Sequence, residues 1–176
     1  MTKITPVLAV IALGCTPAKP PRWEEGGTPL VTPAARWDRP DEDSIEIRAN
    51  GQVLEDGDLI YVIDRVGRIV DEDYEAVAVL QPDGHLIGTD STSLGQVGIT
   101  NGAPPGRFSA WLSVRPDGTV VYFDDDGTQV SRGKWYGCTG PALRTCTLVT
   151  QIITLRDFAR RQEGSVSVGI GVGVGF

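Results

Sequence analysis

The stretch AVAVLQPDGHL, residues 76–86, decides the fold class of this chain. Val77 and Val79 alternate with smaller residues, which is the two-residue period of a half-buried β-strand. Asp83-Gly84 follows, and this dipeptide tolerates the positive φ that a tight hairpin turn requires. The pattern therefore predicts a strand that ends in a turn and is followed by a returning strand.

The same pattern recurs over most of the chain. Alternation also marks residues 45–49 and 108–114. Six turn-forming pairs follow one another along the chain: Asn50-Gly51, Asp56-Gly57, Asp83-Gly84, Asn101-Gly102, Asp117-Gly118 and Asp126-Gly127. The form Gly-x-apolar returns at uneven spacing, which indicates one type of hairpin used repeatedly rather than a strict repeat. We predict an all-β fold, either a small antiparallel sandwich or an open barrel.

One short helix is expected near the C-terminus. Thr154 is its expected N-cap, and Gly164 its expected end. Leu155, Phe158 and Ala159 would form its apolar side.

The last twelve residues, 165–176, alternate without a break between apolar residues and Ser or Gly. This pattern predicts a strand with one apolar face and one glycine-rich face. The strand would close the protein's own sheet, which we favour, or add to the sheet of an envelope protein by edge pairing. Its ending also resembles the last strand of bacterial outer-membrane barrels, although the polar middle of the chain does not supply their apolar band.

Composition limits the classes of function. The 176 residues suit one domain, and the 40% hydrophobic content permits a packed core. The net charge of -7 and the pI of about 4.7 argue against a nucleic-acid-binding surface. A single histidine excludes histidine-rich metal sites and leaves little for histidine-based catalysis.

The N-terminus has the features of an export signal. Lys3 gives a basic start, and the mostly apolar run over residues 4–13 follows it. Ten residues are too few to span a bilayer as a helix, which needs roughly 20. A basic start, a short apolar run and a small residue before a cleavage site are typical of a secretory signal peptide.

The end of this run, Ala12-Leu13-Gly14-Cys15, resembles the lipobox of bacterial lipoproteins. The resemblance covers residues 1–15 only. It implies that residues 1–14 are removed as a signal peptide and that Cys15 carries the lipid. It also implies a membrane partner, since the anchor would hold the protein in the bacterial cell envelope. Thr16, which is not aspartate, implies the outer membrane.

A tether is expected after Cys15. Half of the 12 prolines lie between Thr16 and Asp43, together with Gly26-Gly27. Such a segment is extended and lacks a core. We therefore predict a lipid-bearing tether over residues 15–43 and a single β-rich domain over residues 44–176. Two tryptophans in the tether would dock onto the domain or onto lipid headgroups.

Cys138 and Cys146 are expected to form a disulfide. With Cys15 occupied by lipid, two cysteines remain in an exported chain, and exported cysteines commonly pair. The alternative is a reactive thiol, which usually needs a nearby base. The single histidine, His85, is distant in sequence.

No other motif predicts chemistry. Asp124-Asp125-Asp126-Gly127 suggests a calcium loop, but consecutive acids on a strand point to opposite faces, which favours solvated turn acids. Arg156, Arg160 and Arg161 would contact lipid headgroups or simply suit a helix end. We predict no catalytic residue, metal or cofactor, and a non-enzymatic binding or structural role. The alternatives are an envelope enzyme with an unrecognised site and an assembly factor that donates its C-terminal strand.

Overall fold

The computed structural model describes residues 18–124 and 126–166. Their twelve strands are β1 Ala35–Asp38, β2 Ile45–Ile47, β3 Gln52–Glu55, β4 Asp58–Ile63, β5 Arg68–Asp71, β6 Ala76–Leu80, β7 His85–Gly88, β8 Ser93–Val97, β9 Asn101–Ala103, β10 Leu112–Val114, β11 Thr119–Phe123 and β12 Gln129–Tyr136. Each strand pairs antiparallel with its sequence neighbours, and β1 also pairs with β12, so the sheet closes into a barrel. One helix, α1 Leu143–Val166, follows β12. The predicted all-β fold with one helix near the C-terminus is confirmed.

The strand that closes the barrel lies inside the predicted tether. β1 pairs Trp37 with Trp135 of β12, and both rings are almost fully buried. The prediction of a tether up to residue 43 is therefore wrong for β1. Pro33 and Pro40 flank this four-residue strand, and its inward-outward alternation is too short to stand out among the prolines.

One hairpin geometry recurs six times among the described residues. In the segments 48–52, 64–68, 71–75, 81–85, 115–119 and 124–128, the N–H of the first residue donates to the carbonyl of the fifth, and the carbonyl of the first accepts from the N–H of the fourth. The fourth residue has a positive φ and is a glycine in every segment except 71–75, where it is Tyr74. This is a short loop that ends in a bulge. The recurring Gly-x-apolar form is thus a repeated hairpin. Asn101-Gly102, predicted as a turn, instead lies within β9.

The barrel has two different ends. The covered end comprises residues 18–34, 48–52, 64–68, 81–85, 98–100, 115–119 and 137–144. The cleft end comprises residues 38–44, 55–58, 71–75, 89–92, 104–111, 124, 126–128 and 154–162. At the covered end the N-terminal segment crosses the hairpins, where Gly27 donates to the Val66 carbonyl and Thr28 to the Leu80 carbonyl. Residues 27–34 are therefore packed against the barrel, which corrects the tether prediction a second time.

Helix α1 runs through the inside of the barrel. All nine residues from Thr145 to Ile153 are buried, so this part of the helix has no solvent-facing side. Thr145 Oγ1 donates to the Val31 carbonyl at 2.7 Å, and Thr147 Oγ1 to the Ile99 carbonyl at 2.9 Å. These bonds satisfy buried hydroxyls and fix the entry of the helix at the covered end.

The helix differs from its prediction at both ends. It begins at Leu143 rather than Thr154, and the Thr154 hydroxyl bonds back to the Thr150 carbonyl at 2.6 Å inside the helix. Gly164 does not end it, since α1 continues to Val166. The first two residues of the predicted tail strand are thus helical, and residues 167–176 lie outside the described residues.

Candidate functional site

A charge cluster occupies the cleft end, where α1 leaves the barrel. The Arg39 guanidinium, 4% exposed, contacts carboxylates on three elements: Glu55 at 2.8 Å, Asp157 at 3.1 Å and Glu42 at 3.1 Å. Arg156 on α1 contacts the same Glu55 at 2.5 Å. The cluster therefore ties α1 to the loop after β1 and to the end of β3.

Glu55 lies at the centre of this cluster. Burial raises its pKa, but the hydrogen bonds and charges of Arg156 and Arg39 lower it by more, so the net pKa is below that of an ordinary glutamate. Burial likewise lowers the pKa of Arg156, but the hydrogen bond and the charge of the Glu55 carboxylate raise it by more. The net pKa of Arg156 is therefore raised. Each group therefore stabilises the charged form of the other.

Aromatic side chains lie next to the charge cluster. The rings of Trp37 and Trp135 stack with their centroids 5.7 Å apart, and the Arg39 guanidinium lies 5.4 Å from the Trp37 ring centre. Trp135 Nε1 donates to Thr150 Oγ1 of the helix at 3.0 Å. Burial raises the pKa of Tyr122, whose hydroxyl bonds Thr154, so this phenol is neutral at pH 7. These rings are held in place by the core.

Gln151 connects the core to the wall at this end. Its amide donates to the carbonyls of Leu94 and Ala103, both at 3.0 Å, and accepts from Trp111 Nε1 at 2.6 Å. A Cβ at Gly102 would lie 2.4 Å from Gln151 Oε1, so only glycine leaves room for this amide. Gln151 thereby orients the Trp111 ring from inside the barrel. The space that its amide needs explains why a glycine occupies this position of β9.

These groups border a cleft of about 340 Å³. Its lining residues are Trp37, Arg39, Pro40, Glu42, Trp111, Tyr122, Phe123, Asp124, Arg132, Thr154, Asp157, Phe158 and Arg161. Phe158, on the last turns of α1, is 54% exposed at its rim. The lining combines five aromatic and six charged residues, so this concavity suits a small ligand that has both an apolar part and a charged group.

Arg132 of β12 is the unsatisfied charge of the cleft. Its guanidinium lies over the Tyr122 ring, 5.3 Å from the ring centre. Its Nε is buried without a hydrogen-bond partner, and it forms no ion pair within the described part of the chain. Arg39, by contrast, is already neutralised by carboxylates. Arg132 is thus the cation that a ligand would meet.

The predicted cysteine pair is present. Cys138, just after β12, and Cys146, in the second turn of α1, form a disulfide with their Cα atoms 6.2 Å apart. Both are buried at the covered end, where the bond holds the chain as it turns from the wall into the interior. The disulfide is structural and remote from the cleft. Cys15 lies outside the described residues.

The other sequence candidates lie at different places in the barrel, except that Arg156 and Arg160 both approach Glu55. His85 begins β7 at the covered end, with its Nε2 3.2 Å from the Gln96 amide. Asp71 and Asp126 accept backbone N–H groups of their own turns, as expected of solvated turn acids. Arg156 belongs to the charge cluster, and Arg161 approaches Glu42 at 3.6 Å. Over residues 18–124 and 126–166, no group of three or more His, Cys, Asp or Glu side chains could hold a metal ion.

The residues that matter most at this end were not predicted from the sequence. Arg132 and Gln151 lie in no recognisable motif. They reach the cleft through different rings, because Arg132 lies over Tyr122 whereas Gln151, on the threaded helix α1, holds Trp111. The useful sequence clue was the pair Trp111 and Trp135, since large aromatics in a small domain commonly mark a core or a binding surface.

Comparisons with protein-family models, curated proteins and solved structures return no match for this chain. Among the described residues, no helix has the length and apolar character needed to cross a bilayer.

Proposed function

We propose that this protein is a lipid-anchored, non-enzymatic binding protein of the bacterial cell envelope, carrying its ligand site in the cleft. The observation that carries the binding role is that aromatic rings line the cleft beside the Arg132 guanidinium, which forms no ion pair with any residue that the structure describes. The anchor rests on the lipobox-like residues before Cys15. A non-enzymatic role is supported by the position of His85, the only histidine, which does not line the cleft.

The lipid anchor predicts that Cys15→Ser abolishes lipid attachment. Serine cannot form the thioether to the diacylglycerol, so labelling with radioactive palmitate should fall below a tenth of the wild-type value and the protein should leave the membrane fraction. The matched control is the double variant Cys138→Ser/Cys146→Ser, which retains Cys15 and should label fully. Unchanged labelling of the Cys15 variant would contradict the anchor.

The cleft predicts the chemical class of the ligand. Among the described residues, Arg132 has no carboxylate partner, which favours an anionic group on the ligand at this point even though the cleft end as a whole is acidic. The surrounding rings favour an aromatic or apolar body. The ligand should therefore carry a carboxylate or phosphate beside a planar or apolar group. Indole-3-acetate has these features, and indole-3-acetamide is its neutral counterpart.

In calorimetric titrations of the full chain, the dissociation constant of the acetate should be at least about tenfold lower than that of the acetamide. This difference is equivalent to about 1.4 kcal/mol of binding free energy. Arg132→Gln should remove this preference while leaving the melting temperature within a few degrees. Lys134→Gln is the control, because Lys134 is an exposed cation on the same strand, near the Tyr136 ring. Equal affinity for both compounds, or a preference that survives Arg132→Gln, would refute the cleft assignment.

A further inference from the structure

We infer that the covered end is the face that the protein lays against the lipid surface, so that the cleft points away from the membrane. This inference rests on the proposed lipid at Cys15. Three independent observations support it. They are the path of the N-terminal segment, the apolar side chains exposed at the covered end, and the division of charge between the two ends.

The first observation is the path of the N-terminal segment. Pro20 is buried, the Trp23 ring lies 5.8 Å from the Arg68 guanidinium, and Gly26 contacts Val66. Residues 20–26 therefore lie beside the hairpin that joins β4 and β5, at the covered end. Cys15 is five residues before Pro20, and five residues extend the chain by at most about 18 Å. A lipid on Cys15 must enter the bilayer close to this end of the barrel, without a long spacer.

The second observation is the set of exposed apolar side chains at the covered end. Val31 is 49% exposed, Val66 39% and Ile99 62%, and all three are aliphatic. The large apolar side chains exposed at the cleft end are aromatic instead: Tyr74, Phe108 and Phe158. The carbonyls of Val31 and Ile99 both accept hydrogen bonds from the start of α1, so these two residues flank the point where the helix enters. Exposed apolar groups beside a lipid attachment point suit an apolar partner surface.

The third observation is electrostatic. The residues that define the covered end include seven basic and five acidic side chains, whereas those that define the cleft end include five basic and fifteen acidic ones. The whole chain is acidic, yet nearly all of its negative excess is at the cleft end. An anionic membrane would repel the cleft end and tolerate the covered end.

Hydrogen–deuterium exchange distinguishes the two faces. The lipidated full chain is placed in vesicles of phosphatidylethanolamine and phosphatidylglycerol at three to one, and its exchange is compared with that of the Cys15→Ser chain in solution. Amides of residues 26–34 and 98–100 should exchange at least about threefold more slowly on the vesicles. Amides of residues 71–75 and 104–111, at the cleft end, should be unchanged.

Two variants sharpen the test. Ile99→Glu adds a charge to the covered end and should reduce its protection, whereas Phe108→Glu, at a side chain 91% exposed at the cleft end, should have no effect. Protection of residues 104–111, or equal protection of both ends, would overturn the inferred orientation.

Vesicle flotation reports on the anchor separately from the orientation. If the chain does not float, the proposed lipidation is wrong. Its free Cys15 thiol can then be coupled to a maleimide-bearing lipid, because Cys138 and Cys146 are joined in a buried disulfide. The exchange experiment is then read in the same way, so the orientation is decided with either anchor.

Discussion

Replacing Gly51 by alanine is expected to destabilise the barrel by about 3 kcal/mol or more, or to prevent folding. Gly51 has a φ of 89° and closes the hairpin between β2 and β3. A Cβ there would lie 2.0 Å from the Ile63 carbonyl oxygen, which is backbone and cannot move aside. Moving the two backbone segments apart to remove this clash would break the hydrogen bond from the Ile63 N–H to the Gly51 carbonyl. Thermal unfolding should show a melting temperature lower by roughly 6–12 °C.

Gly57→Ala is the matched control for this variant. Gly57 has a similar φ of 91°, but no atom lies within 4 Å of an added Cβ. Alanine there should cost only the backbone strain, about 1–2 kcal/mol. If both variants melt at the same temperature, the close packing of the covered hairpins does not contribute to stability.

Glu55→Gln is expected to lower the free energy of unfolding by about 2–3 kcal/mol at pH 7. The side-chain shape is kept, but Arg39 and Arg156 lose the carboxylate they share, and the Arg39 side chain is only 4% exposed. The control is Glu46→Gln, because Glu46 pairs with Arg36 on the open surface. Exposed pairs contribute little, so this control should change stability by less than about 0.5 kcal/mol.

The Glu55 variant should also alter the response to acid. The folded-state pKa of Glu55 is below the unfolded value of about 4.3, so the carboxylate stabilises the fold above that pH. This stabilisation is lost as the pH falls through the folded-state pKa. The difference in melting temperature between wild type and Glu55→Gln should therefore be largest near pH 7 and shrink below about pH 4. A difference that stays constant down to pH 3 would contradict the role given to this carboxylate.

Local patterns were enough to predict the class of fold, because β-strands and hairpin turns are determined over a few residues. The strand at Val77 and Val79 and the turn at Asp83-Gly84 are both present as predicted, although residues 78–80 are all buried and do not alternate in exposure. The disulfide could also be predicted, since it followed from counting cysteines in a chain that the sequence predicts to be exported. None of these inferences needed information about distant parts of the chain.

The closure of the barrel and the passage of α1 through it could not be predicted from local sequence patterns. β1 pairs with its sequence neighbour β2, but the barrel closes only because β12, about a hundred residues later, pairs with the other edge of β1. The helix was predicted to have a single apolar side, but its first turns are surrounded by the barrel, so Thr145, Thr147 and Gln151 are buried there with partners from the wall. The cleft depends on both features. The same long-range dependence hid Arg132, whose buried Nε has no hydrogen-bond partner in the described part of the chain.

The threaded helix also determines when the protein can finish folding. Helix α1 follows β12 in the chain, so the helix that packs inside the barrel is synthesised only after all twelve strands. The first strand must likewise wait for the last before the sheet can close. Such distant contacts slow folding, because a large loop must close before any of them forms. An exported chain of this design would cross the membrane unfolded and acquire its structure only afterwards, where its cysteines can be oxidised.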